Sequence, residues 1–303
     1  MELVSVILSV YNEPCEMVSK SIDSIIGQTY KNLEIILIND NPLRKDLDQL
    51  LNAYKRKDSR VRYIKHTQNK GLVYSLNEGI KASKGNIIAR MDADDISKKD
   101  RIERQIAFLD KYSYDIVGSC ITKIDENDNI IGELIPPSLH NDIVRYMQYG
   151  SFVLHPTWLI KKQVYADLDG YRNIATCEDY DFLLRAISHG YKLGNIPSIG
   201  LEYRIRSDGI SQSSDTKQRL IMYYLAKRFK NGAGTPISTL EKYLNSSNYQ
   251  KNYKRLEKYS KYKKCLSSGK LYALFPTIFN KYFYINLIAH YKQKESRKHR
   301  IKE

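Results

Sequence analysis

Seven segments of the first hundred residues alternate between short apolar runs and amphipathic stretches, and this alternation limits the fold more than any other feature of the chain. Strand-like runs cover Leu3–Val10, Glu34–Asn39, Val61–His66 and Asn86–Met91; helical periodicity lies near Pro14–Gln28, Lys45–Lys57 and Gly71–Ser83. Helices set between strands that run one way imply right-handed crossovers. They build an α/β fold whose mostly parallel central sheet has helices on both faces. In such sheets ligands gather beyond the C-terminal ends of the strands. Those ends carry Tyr11-Asn12-Glu13, Asp40-Asn41, Asn69-Lys70-Gly71 and the cluster Asp92, Asp94, Asp95. Four polar termini therefore converge on one edge.

Three carboxylates at the end of an apolar strand call for a cation. Asp92 and Asp94 can point together at a divalent metal that also holds a diphosphate. A plainer reading is that these acids lead into the next helix, where Ser97 and Asp100 have capping-box spacing ahead of Ile102, Ile106 and Leu109.

From Asp115 the pattern loosens, with short strands expected near Asp115–Ser119 and Ile130–Leu134, a Pro136-Pro137 break and an apolar stretch from Ser151 to Ile160. This half is expected to shape an acceptor site. A helix from about Glu178 to His189, closed by Gly190, has an acidic first turn in Glu178, Asp179 and Asp181. Like charges on that turn are expected to raise the proton affinity of Asp179, and the plainer reading is that acids in a first turn are stabilised by the helix dipole. Beyond Ser213 the composition shifts to Lys, Tyr and Asn.

The 303 residues carry a formal charge of +15, very unevenly placed. Residues 214 to 303 hold 21 Lys plus Arg against 5 Asp plus Glu, a formal +16; residues 1 to 213 hold 28 against 29, a formal −1. A near-neutral body with a basic helical extension implies chemistry in the first and attachment to something anionic through the second, the alternatives for residues 214–303 being a solvated extension or a contact between copies in a homo-oligomer. Within the extension, Leu271 to Tyr291 is rich in aromatic and aliphatic side chains but broken by Pro276, Lys281 and His290, a pattern suited to a membrane interface rather than a span. Met1-Glu2 opens directly into a strand-like run, and no apolar stretch has membrane-spanning length. A cytoplasmic protein, peripheral at the inner face of the cell membrane, is expected. Cys15, Cys120, Cys177 and Cys265 are far apart and read as reduced thiols.

The runs Ser5–Asn12, Ile38-Asn39-Asp40, Asn69-Lys70-Gly71, Ala89–Asp95 and Glu178-Asp179 resemble, in order, the signatures of glycosyltransferase family 2. The resemblance covers roughly residues 1 to 212. It implies a Rossmann-like GT-A fold, a nucleotide-sugar donor, a divalent metal (Mn²⁺ or Mg²⁺) and inversion at the anomeric carbon. The expected domains are then a GT-A catalytic domain over 1–213, with a nucleotide-sugar half (1–95) and an acceptor half (96–213), and the basic extension over 214–303.

Residue roles follow from the same resemblance. Asp40 matches a carboxylate that accepts from the uracil ring, and Tyr11, Asn12, Glu13, Asn69, Lys70, Arg90 and Asp92 complete the expected donor-binding set. Asp94 is the expected direct metal ligand, with Asp92 beside it. Asp179, with Glu178, matches the base that takes the proton of the acceptor hydroxyl. His155 and Trp158 lie in a segment resembling one beside the acceptor. Arg206 stands where many relatives carry a metal-binding histidine. A guanidinium cannot ligate a cation, but its planar fork suits a phosphate. Asn41-Pro42 follows Asp40 where relatives often have Gly-Ser, which stiffens the loop beneath the base.

The expected activity is transfer of a hexose or N-acetylhexosamine from a UDP-sugar to a saccharide acceptor, lipid-linked, in capsule or exopolysaccharide assembly. Two other readings compete with it. One is a catalytically silent sugar-nucleotide or polyanion binder of the same fold; the other is a nucleic-acid-binding protein, which predicts steeply salt-dependent binding to duplex DNA. No nucleic-acid module is recognised in the body of the chain, and no nucleic-acid partner is expected.

Overall fold

Strand β1 (Val4–Val10) lies at the centre of the first half of the fold, paired in parallel with β2 (Leu33–Asn39) on one side and β4 (Ile87–Asp92) on the other. Strand β3 (Val61–Lys65) extends the sheet beyond β2, also in parallel. The computed structural model describes residues 1–174, 176–206, 215–229 and 234–299. Helices α1 (Cys15–Ile26), α2 (Lys45–Lys57) and α3 (Leu72–Ala82) make the crossovers.

Alternation along β1 explains why both faces are covered. Val6, Leu8 and Val10 pack in one cluster with Val18 and Ile22 of α1 and Leu47 and Leu51 of α2. Ile7 points the other way, into a cluster with Leu76 of α3. Successive side chains leave opposite faces of a strand, so one apolar run supplies two cores. The short loops then place Tyr11, Asp40 and Asp92 on one edge.

The second half is mixed. The sheet runs β3-β2-β1-β4-β8-β6-β9-β5, with β7 (Ile130–Leu134) paired to β6. Strand β8 (Leu159–Lys161) is antiparallel to both β4 and β6 (Ile116–Ile124), whereas β9 (Leu193–Arg204) is parallel to β6 and antiparallel to the two-residue β5 (Ile96–Ser97). Here the sequence reading needs correction. The strand expected to end at Ser119 continues to Ile124, and the twelve-residue β9 was not foreseen. Gly194, Pro197 and Gly200 interrupt the β9 pattern, and its register against β6 shifts around Cys120. The Ser97–Asp100 capping box does not form. Ser97 sits in β5, where its N–H donates to Ser24 Oγ, and Asp100 is itself the N-cap of α4 (Arg101–Tyr112).

Helix α5 (His140–Tyr146) leads into a short 3₁₀ turn, Met147–Tyr149; a second such turn, His155–Thr157, and α6 (Lys162–Asp167) flank β8. Helix α7 (Glu178–Ser188) ends as expected near Gly190, whose φ of +84° lets its N–H reach Ile187 O while Tyr191 N–H reaches Ala186 O.

The basic extension forms α8 (Asp215–Phe229), α9 (Ile237–Leu244), α10 (Ser247–Ser267), α11 (Leu274–Ile278) and α12 (Lys281–Ser296). It is not a detached tail. Ile221, Leu225 and Phe229 of α8 and Leu240 of α9 are buried in the cluster that holds Ile7, Trp158 and Phe182. The expected division between residues 213 and 214 lies outside the described residues. Among the described residues no helix is long and apolar enough to cross a membrane.

Candidate active site

The loop that follows β4 is built around a buried acid. Asp95 is fully buried and accepts from the backbone N–H of Arg204 at 2.8 Å. Arg204 donates Nε to Asp94 O and Nη1 to Asp125 O, both at 2.8 Å, and pairs with Asp128 at 2.5 Å. One arginine at the end of β9 thus clamps the Asp94–Asp95 backbone. The sequence reading passed over both residues in these roles. The available signals were the third acid of the cluster and the arginine two positions before Arg206.

With Asp95 turned inward, Asp92 and Asp94 are left facing the strand-end edge. Burial first, then the charges of Asp92 and Glu13, raise the Asp94 carboxyl to about 6. Glu13 is held there by the Tyr11 N–H, which donates to it at 2.8 Å. A carboxylate crowded by two others and only partly offset by one cation favours a bound positive charge. Arg206 supplies that one cation, with Nη1 3.3 Å from Asp94 Oδ2 and a side chain only 10% exposed. It is therefore no solvated surface arginine.

Among the described residues no three His, Cys, Asp or Glu side chains form a ready metal cage. Asp92 and Asp94 nevertheless fit a hard divalent ion such as Mn²⁺ or Mg²⁺, because both offer carboxylate oxygens and such ions commonly take their remaining ligands from phosphate and water. The donor set is short by the ligands that a diphosphate brings.

Arg90 links this group to the acids of α7. Its side chain is buried and ion-pairs with Asp92. Burial works against its charge, but Asp92 and Asp95 outweigh it and raise its pKa further. The same guanidinium lowers the proton affinity of Glu178 and Asp179, while Asp92 raises it. The metal-type acids and the α7 acids therefore share one electrostatic environment.

On α7 the three acids of the first turn part company. Asp181 is buried and paired with both Arg172 and Arg185. Its negative charge is thus compensated, which corrects the expectation that it presses on Asp179. The Asp179 carboxyl is raised chiefly by burial, with Asp92 adding to it. Glu178, also buried, is raised to about 7 by burial and by the charge of Asp179.

Asp40 does something other than expected. It is 2% exposed, and four donors converge on its carboxylate: His66 Nδ1 at 2.6 Å, Lys70 N–H at 2.7 Å, Gly71 N–H at 2.8 Å and the Asn69 amide at 3.4 Å. Two oxygens offer about four acceptor sites. Asp40 is therefore filled, and it ties the end of β2 to the start of α3. Asn69 contributes to this tether through its side chain, whereas the Lys70 ammonium extends outward to Tyr74 Oη at 3.0 Å. The Asn41 amide donates to Tyr11 O and Asn12 Oδ1, closing the β1 and β2 loops against each other.

A cleft of about 450 Å³ runs from Lys70, Gly71 and Tyr74 past Asn77 and Tyr171 to Thr176 and Glu178. That volume lies within the roughly 300–1,000 Å³ of small-molecule sites. Trp158 is not on its wall. The indole is fully buried, stacked on Tyr171 with centroids 6.1 Å apart and donating Nε1–H to Val153 O at 3.0 Å. The expectation that Trp158 meets an acceptor is corrected: it supports Tyr171 from behind. His155 lies edge-on to Trp158 with Nε2 2.9 Å from Tyr171 Oη, and burial lowers its pKa well below the usual imidazole value. A neutral imidazole held this way positions Tyr171.

A Rossmann-like sheet with paired acids beyond β4 and a buried acidic turn opposite is the arrangement of a GT-A glycosyltransferase. The family model for glycosyl transferase family 2 matches residues 5–185, and the chain belongs to that family. It is 32% identical over 233 residues to the O-antigen biosynthesis glycosyltransferase WbnJ of Escherichia coli, covering 76% of this chain and 90% of that one. Its fold resembles the mannosyltransferase PcManGT of Pyrobaculum calidifontis, solved with GDP-Man and Mn²⁺, at TM-score 0.60 and 15% identity over 97% of this chain and 87% of that one. It also resembles S. aureus TarS residues 1–349, solved with UDP-GlcNAc, at TM-score 0.62 and 16% identity over 96% of this chain and 92% of that one. The chain is a glycosyltransferase.

Proposed function

We propose that this glycosyltransferase inverts the anomeric centre as it moves a hexose or N-acetylhexosamine from a UDP-sugar to a lipid-linked saccharide of a surface polysaccharide. The observation that carries the reading is the shared environment of two acid groups: Asp92 and Asp94, the first paired with Arg90, and Asp179 with Glu178 under the influence of the same guanidinium.

Arg206 withdraws from Asp94 to bind a diphosphate oxygen through its planar fork. When bound between Asp92 and Asp94, a divalent ion, Mn²⁺ or Mg²⁺, supplies charge neutralisation for the leaving nucleoside diphosphate. Asp179 accepts the proton of the acceptor hydroxyl as that oxygen forms its bond to the anomeric carbon. The bond to the diphosphate breaks on the opposite face, so one displacement inverts the centre. The raised proton affinity of Asp179 suits it to hold that proton near neutral pH. Asp40, filled by its own four donors, shapes the base pocket rather than reading the base edge. The basic extension keeps the enzyme at an anionic membrane surface, where a lipid-linked acceptor resides.

The test is nucleoside diphosphate release from a panel of UDP-sugars and GDP-mannose with Mn²⁺, comparing the wild type with Asp94→Asn and Asp179→Asn. Turnover of one UDP-sugar, abolished by either substitution, is expected. Turnover of GDP-mannose alone overturns the choice of nucleotide, and turnover that survives Asp179→Asn overturns the base. Nucleotide binding without turnover in the presence of lipid-linked acceptors returns the silent-binder reading.

A further inference from the structure

Helix α12 is apolar on two opposite sides. Its inner side sets Tyr282, 2% exposed, into a small cluster with Leu256 and Tyr259 of α10. Its outer side presents Tyr284, Ile288 and Tyr291, at spacings of four and three that place them on one face, and all three are exposed. Ahead of it Phe275 and Phe279 stack on each other at 6.4 Å while remaining 68% and 81% exposed, next to the exposed Leu271. An apolar stripe on the side of a helix turned away from its packed side is a second face left to be covered. Large exposed apolar side chains gathered on neighbouring elements in this way mark an interaction surface.

Charge identifies what covers it. From Lys258 to Lys294 the chain contains no Asp or Glu and eight lysines. A second copy docking through the same patch would set two such basic surfaces face to face, which opposes a symmetric interface. An anionic bilayer answers both features at once, taking aromatic side chains at its headgroup level and lysines at its charged surface. We propose that the α11–α12 face is a docking surface for an anionic lipid bilayer.

The docked helix is tied to the catalytic one. Gln293 of α12 donates to Tyr149 O, and Tyr180 of α7 donates its hydroxyl to Met147 O of the same 3₁₀ turn. The inference deepens the proposed lipid-linked acceptor and rests on that reading for its purpose, but its deciding readout, vesicle binding, is measured without any sugar. The full chain is sedimented with vesicles of equal parts phosphatidylglycerol and phosphatidylcholine, and with pure phosphatidylcholine. Wild type is expected to bind the anionic vesicles only. Phe275→Ser with Phe279→Ser, and separately Ile288→Ser with Tyr291→Ser, should each lower partitioning about tenfold or more and leave nucleoside diphosphate release in solution unchanged. Wild type that stays in the supernatant, or paired variants that bind as wild type does, overturns the proposal. So does a wild-type dimer that these variants dissociate, since the face is then a contact between copies. Failure of the donor panel with vesicle binding intact would count against the transfer reading alone.

Discussion

Replacing Glu178 by Gln should stabilise the protein in a pH-dependent way. Glu178 is 9% exposed at the start of α7, and burial together with Asp179 moves its carboxyl from 4.5 to about 7. An acid whose folded-state value is raised favours the fold while it is protonated. Its contribution is complete below about 4.5 and drains away as the pH climbs through about 7. At about 1.4 kcal/mol per pH unit, the ionised fold pays about 3 kcal/mol. Gln keeps the shape and never ionises. Glu178→Gln should therefore match wild type within about 1 kcal/mol near pH 5 and exceed it by about 3 kcal/mol near pH 8. Urea unfolding of both proteins, free of metal and nucleotide, reads the difference, and the titrations of groups that do not interact with Glu178 cancel between them. Stabilities that run parallel over this range would refute the account of Glu178.

Two further outcomes follow from the site and its support. Arg206→Ala removes the cation beside Asp94 and, in the proposed reading, a charge-assisted bond to diphosphate worth roughly 1.5–3 kcal/mol; a rise of at least tenfold in the donor KM is expected, and unchanged UDP affinity by calorimetry would remove Arg206 from the donor site. Trp158→Ala opens a void behind Tyr171 and should cost about 3–5 kcal/mol in denaturant unfolding, where a loss under about 1 kcal/mol would contradict its place in the core.

Much of the first half was legible because its signals are local. The continuous buried runs of β1 and β2 and the heptad-like spacing of α1 to α3 each depend on a few neighbouring residues, and the helix Lys45–Lys57 has the expected ends. The second half was less legible. Strand β9 pairs residues across the sheet with β6, 77 to 80 positions earlier, and its glycines and proline hide the strand pattern locally. Among the acids, sequence could group Asp92, Asp94 and Asp95 but not sort them. Burial of Asp95 against the Arg204 N–H is a contact across the sheet and leaves no mark at short spacing.

Sequence by itself determined the family, the parallel core and the residue types available at its edge, because periodicity and motif order are written along the chain. Tertiary structure alone decided which of those residues remain free for chemistry. Asp40 is consumed by four donors, Trp158 by stacking and Asp181 by two arginines, while Asp94, Glu178 and Asp179 are left with raised proton affinity. The physical reason is that burial and charge compensation depend on what arrives from distant segments: Arg204 from β9, Arg172 from the loop before α7 and Lys70 from the turn after β3.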